Sequence, residues 1–149
     1  MTVIREQVLA YLYQDEPHYA EAAQLGAEVL PHLRQLVDEG DPELASKATA
    51  LASIINTDRS VEIVDVARRS PDPVVRVAAA VSLSNLSGVP APLAESMLKD
   101  EDVGVRKLTL EALENQKPFG LKSKVQEVAK NDPNEVLREI AGRVAKQLP

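Results

Sequence analysis

The side chains able to make or break bonds are few and scattered. His18 and His32 stand well apart in the chain, neither beside a second ligand in a metal-binding pattern. No His-Glu pair, which would put two possible metal ligands side by side, occurs. His32 follows Pro31 in a stretch whose apolar stripe runs through Leu30 and Leu33, so it is predicted to face solvent. The absence of cysteine removes disulfides, thiol catalysis and thiolate metal sites together. Ser82, Ser84 and Ser87 have no histidine nearby in sequence to complete a nucleophilic triad. Asp100, Glu101 and Asp102 could serve general acid/base chemistry, but at a helix junction two of them have capping or bridging duties. The six glycines are dispersed at turns and helix ends rather than gathered into a phosphate loop. The expectation is no catalytic residue, no cofactor and no metal, hence not an enzyme.

What remains is charge, and it is ordered. The net charge of −6 divides into 10 Lys/Arg against 19 Asp/Glu over residues 1–116, and 7 against 4 over 117–149. Such polarity can orient a partner or a second copy. One constant step carries Gln35 onto Asp65 and then Glu95, and Glu39 onto Arg69 and then Lys99. A stretched last step continues the rows to Glu127 and to Lys130 or Asn131. One face is therefore predicted to show an acidic row beside a basic row, with Gln35, Asp65, Arg68, Arg69, Glu95, Lys99, Glu127 and Lys130 as partner-binding candidates. Asp65/Arg69 and Glu95/Lys99 are also i,i+4 pairs in the favourable order, each stabilising a helix by only ~0.3–0.5 kcal/mol. The basic cluster Lys117, Lys122, Lys124 and Lys130 has Phe119 as its one aromatic neighbour, and the chain has no Trp. Stacking of bases has little support there, so nucleic acid is not the expected partner.

These rows need helices to present them. At 149 residues the chain suits one domain with a real core. No stretch approaches the ~20 apolar residues of a membrane span, and the N-terminus does not look like a signal peptide; with no cysteine, this fits a cytoplasmic protein. Ser70 to Leu86 is the organising stretch. Asp72 is suited to cap a helix and Pro73 to open it, and beyond Arg76 only Ser82, Ser84 and Asn85 are polar. A helix apolar nearly all round is predicted to be covered nearly all round.

The same step recurs in the capping signals. Asp41-Pro42-Glu43-Leu44 precedes Asp72-Pro73-Val74-Val75, and Asp102-Val103-Gly104-Val105-Arg106 follows at almost the same interval. Asp132-Pro133-Asn134-Glu135-Val136-Leu137-Arg138 comes next, stretched by two at its Arg. Leu33, Ile63, Leu93 and Val125 keep the same beat in a second phase. Two phases sharing one period of about 30 residues identify a repeat protein. First helices are predicted over 43–55, 74–86, 103–115 and 135–148, and second helices over 60–69, 90–99 and 121–130. An amphipathic helix over 2–13 precedes them, and Asp15 is predicted to cap the next. Pro31 either kinks one long helix over 19–40 or starts a new one; with no turn-forming cluster before it, the kinked helix is preferred. No period-two alternation predicts a strand.

Asp100/Arg106 and Asp132/Arg138, six residues apart and each with a Val or Leu before the Arg, resemble the junction of HEAT repeats. The shortness of the period is similar to the repeats of phycobilin-lyase-like proteins. Ser70/Arg76 keeps the Arg without the acid, and Glu39/Ala45 keeps the acid without the Arg. The resemblance covers about residues 19–149, and it implies an all-α, right-handed α-solenoid of antiparallel helix pairs, an armadillo-type superhelix of about four repeats. It divides the single domain 1–149 into a capping helix 2–14, repeats 16–40, 41–70, 71–100 and 101–131, and a C-terminal capping helix 134–148. It further implies that second helices line a concave surface and that the Asp and Arg residues form a structural ladder.

The function expected from this is a non-catalytic scaffold that binds a protein or peptide partner through the surface of the second helices. A phycobilin-lyase-like or assembly subunit is the alternative, and a nucleic-acid-binding HEAT-like protein ranks below both. Scarce aromatics, which would be needed to hold a tetrapyrrole, count against the lyase reading. Self-association through the repeat ends stays open.

Overall fold

The computed structural model describes residues 4–14 and 19–149. His18 and the expected cap Asp15 lie outside them. Among the described residues there are helices and no strands, and they form two compact units, Met1–Leu86 and Ser87–Pro149.

The first unit holds α1 (Arg5–Leu12), α2 (Tyr19–Ala23), α3 (Leu30–Glu39), α4 (Pro42–Ile55), α5 (Asp58–Ala67) and α6 (Pro73–Ser82). Helix α4 begins where predicted: the Asp41 side chain accepts the Leu44 N–H at 3.2 Å, and Pro42 occupies the first turn, where its missing N–H costs nothing. Helix α4 lies at the centre of the unit, packed against α3, α5 and α6. The core is aliphatic, with Val8, Leu12, Leu30, Leu33, Leu36, Leu51, Ile63, Val64, Val75 and Leu83 all buried. Each large side chain so buried contributes roughly 1.5–3 kcal/mol.

Two expectations are corrected here. Pro31 does not kink a long helix. Helix α2 ends at Ala23, Gly26 turns the chain at φ 79°, a 3-10 turn spans Ala27–Val29, and α3 starts at Leu30 with Pro31 in its first turn. Gly26 alone supplies the left-handed backbone for which a cluster of turn residues was expected. Helix α6 stops at Ser82, followed by a 3-10 turn Leu83–Asn85, and it is not covered nearly all round. Val75, Ala79 and Ala80 are buried, but Val74 and Val81 remain 59% and 51% exposed.

The second unit holds α7 (Ala91–Leu98), α8 (Val103–Gln116), α9 (Lys122–Asn131) and α10 (Glu135–Gln147). Asp102 caps α8 by accepting the N–H groups of Gly104 at 2.8 Å and Val105 at 3.1 Å. Lys117, at φ 47°, ends it in the left-handed region. The stretch seen in the last period has a local cause: α10 is capped by Asn134, which accepts the Leu137 N–H at 3.1 Å, and not by Asp132. Leu93, Met97, Leu98, Val105, Leu110, Leu113, Leu121, Val125, Leu137, Val144 and Leu148 form the core. The short connection between α9 and α10 sets them side by side as an antiparallel pair.

Candidate functional site

The six-residue spacing to arginine builds the junctions. Arg76, Arg106 and Arg138 each donate from Nη1 to the backbone carbonyl six residues back, at Ser70, Asp100 and Asp132, over 2.9, 2.9 and 2.6 Å. The side chain at that earlier position folds the turn: Ser70 Oγ, Asp100 Oδ1 and Asp132 Oδ1 accept the N–H two residues on, at 3.1, 2.8 and 2.9 Å. Serine can do this as well as aspartate, so the junction at Ser70 survives loss of the acid. The carboxylate that Arg106 meets belongs to the following repeat. Its Nε and Nη2 reach Asp132 at 2.9 and 3.2 Å, with the side chains only 11% and 3% exposed.

That buried pair also lines a groove of about 300 Å³ between α7 and α9. Leu98, Val128 and Pro133 give it apolar walls. The rim alternates in charge. Lys124 Nζ lies 3.4 Å from Glu95 and 3.9 Å from Glu127, and Lys99 Nζ lies 3.5 Å from Glu95. The hydrogen bond from Lys124, followed by its charge and that of Lys99, holds the Glu95 carboxyl below its ordinary range. Glu95, Lys99 and Glu127, all expected at the site, are thus brought together. The residue that joins them, Lys124, was expected only as one of a basic cluster. Its signal was available: it stands three residues before Glu127 and almost one period after Glu95.

Lys130 does not join this rim. It lines a second groove, between α9 and α10, with Lys122 and Lys146, and Asn131 takes the place next to the first groove. The basic cluster is therefore divided between two sides of α9.

In the first unit, Gln35 and Glu39 face Arg5, which donates to them at 3.4 and 2.7 Å. Asp65 is shared between Arg68 at 2.8 Å and Arg69 at 2.7 Å. Arg69 also lines a groove with Arg34, Val37, Asp38 and Val66, where Arg34 pairs with Asp38 at 3.2 Å. His32 is half-buried rather than open to solvent. Among the described residues no three His, Asp or Glu side chains converge as a metal site, and no helix is long and apolar enough to cross a membrane.

No family model matches the sequence, and no curated protein matches it. A solved structure does: a chain of the complex of CpcE and CpcF of phycocyanin lyase from Nostoc sp. PCC7120 superposes with a TM-score of 0.72. The match covers 94% of this chain and 96% of that one at 18% identity. The fold is thus an all-α solenoid of paired helices of the kind that the repeat spacing resembled. The likeness also overturns the expectation that the chain is not an enzyme. The same fold over nearly the same length serves in a lyase, so a scarcity of familiar catalytic motifs on such a scaffold is no ground for excluding catalysis.

Proposed function

We propose that this chain is a lyase-type subunit that works in the cytoplasm with a second protein, taking an open-chain tetrapyrrole into the groove between α7 and α9. The observation that carries the proposal is the fold likeness to a chain of the phycocyanin lyase complex across almost the full length of both. That neighbour is itself part of a two-protein complex, which supports pairing with a partner.

The chemistry of the groove supports the ligand. A linear tetrapyrrole has a long apolar conjugated body, propionate carboxylates and pyrrole N–H groups. Leu98, Val128 and Pro133 suit the body, Lys99 and Lys124 suit the carboxylates, and Glu95 and Glu127 suit the N–H donors. A groove of about 300 Å³ lies at the small end of ligand sites, so part of the ligand would stay open to the partner protein. Asp65, Arg68 and Arg69 of the first unit remain the proposed surface for that partner.

The test is a titration with biliverdin, followed by visible circular dichroism, since a flexible tetrapyrrole gains a signed band when a chiral site fixes its twist. A saturable band is expected, with affinity reduced about tenfold or more in Lys99→Glu/Lys124→Glu, where carboxylates replace the cations. No induced band at concentrations up to about 100 µM, or a band unchanged in the double variant, would contradict the proposal.

A further inference from the structure

The groove between α9 and α10 differs from the one between α7 and α9 by its unneutralised charge. It measures about 440 Å³ and is lined by Lys122, Gln126, Ala129, Lys130, Gly142, Ala145 and Lys146, with no carboxylate among them. Among the described residues none of the three lysines has an ion pair or a side-chain hydrogen bond, whereas Lys124 on the opposite side of α9 has two carboxylates within reach. Helix-end electrostatics account for Lys130 and Lys146, which sit in the last turns of their helices. They do not account for Lys122. It occupies the first turn of α9, where a cation is disfavoured and where no acid offsets it.

Gly142 gives an independent indication. It lies inside α10, where glycine is less stable than alanine. A Cβ placed there would meet nothing within 4 Å, so no packing in this chain requires its absence. With Ala129 and Ala145 it leaves a shallow floor on which another backbone can lie close.

We propose that this groove docks an acidic helix of a partner protein, laid along α9 and α10 with its carboxylates toward Lys122, Lys130 and Lys146. Lys122 and Lys130 are separated by about 12 Å along the axis of α9, so glutamates two helical turns apart on the incoming helix would meet both. A helix in a groove anchored at one-turn intervals is a common recognition mode. Nucleic acid is disfavoured because no aromatic side chain lines the groove for stacking. The proposal does not depend on tetrapyrrole binding, which concerns the other side of α9.

The probe is a fluorescein-labelled alanine-rich helical peptide with glutamate at positions i, i+4 and i+8, followed by fluorescence anisotropy at low salt. Saturable binding is expected, weakened about tenfold in Lys122→Gln/Lys130→Gln/Lys146→Gln and reduced as salt rises. Gly142→Leu should weaken it similarly while folding normally, since its side chain fills the floor; should it misfold, the triple glutamine variant decides alone. The proposal is overturned by absence of saturable binding, by equal binding of the glutamine version of the peptide, or by no loss in the triple variant. It also fails if an unstructured oligoglutamate or an oligothymidylate binds as well as the helix. A salt-sensitive dimer in sedimentation without peptide, abolished in the triple variant, would assign the groove to a second copy of the chain instead.

Discussion

Helix α9 presents lysines to two grooves, and their surroundings differ. Toward α7, Lys124 is flanked by Glu95 and Glu127, and the buried Arg106–Asp132 pair lines the same groove. Toward α10, Lys122 and Lys130 join Lys146 with no carboxylate lining the groove. In sequence these lysines of α9 form one cluster; in space they belong to two surfaces, one neutralised and one not. A run of like charge therefore says little about binding until the neutralising groups around each member are known.

The largest expected effect breaks the α7–α9 side. Arg106→Ala leaves Asp132, its side chain 3% exposed, without its cation, and should destabilise the second unit by about 3–5 kcal/mol. Chemical denaturation would measure it. Arg34→Ala, which breaks an exposed pair with Asp38, should cost under about 1 kcal/mol. Similar losses from the two would show that burial adds nothing to the Arg106–Asp132 pair.

On the α10 side the expected change has the opposite sign. Gly142→Ala should raise stability by roughly 0.5–1 kcal/mol, since alanine is the better helix former and its methyl meets nothing within 4 Å. A fall in melting temperature would mean that glycine serves the fold there, and the difference between the two grooves would lose one of its supports.

The smallest effect sharpens the electrostatic contrast. Glu95 has a folded pKa below its unfolded one because Lys124 hydrogen-bonds the carboxylate. Its stabilising contribution should be complete above its ordinary value, about 4.3, and disappear as pH falls through the depressed folded value. The melting-temperature gap between the unmodified protein and Glu95→Gln should accordingly be flat near neutrality and close only in acid. A gap that opened instead on acidification would show that Lys124 does not hold Glu95 ionised.

Much of the fold was legible because capping and repeat signals are local. Asp41 and Asp102 cap α4 and α8 as their positions suggested, and Arg76, Arg106 and Arg138, six residues after the turn residue, lock the three junctions that carry them. Pro31 misled because Gly26, one residue at φ 79°, was enough to end a helix. The exposure of Val74 and Val81 was missed because composition records that a helix is apolar and not which neighbours exist to cover it. The site was legible only in part. The repeat period aligned Glu95 with Glu127 and set Lys99 beside them, but the direction in which each lysine of α9 points depends on its angle around the helix. A shift from Lys124 to Lys122 or Lys130 changes groove altogether. Excluding catalysis failed for a different reason: known motifs are one way to hold chemistry, and their absence does not remove the others.

The most direct measurement is a backbone-amide NMR titration of the intact chain with biliverdin. Tetrapyrrole binding between α7 and α9 predicts saturable shifts at Leu98, Lys99, Lys124, Val128 and Asn131, with Ala129, Gly142 and Ala145 unmoved. Shifts concentrated at Gly142 and Ala145, or none at saturating ligand, would contradict it.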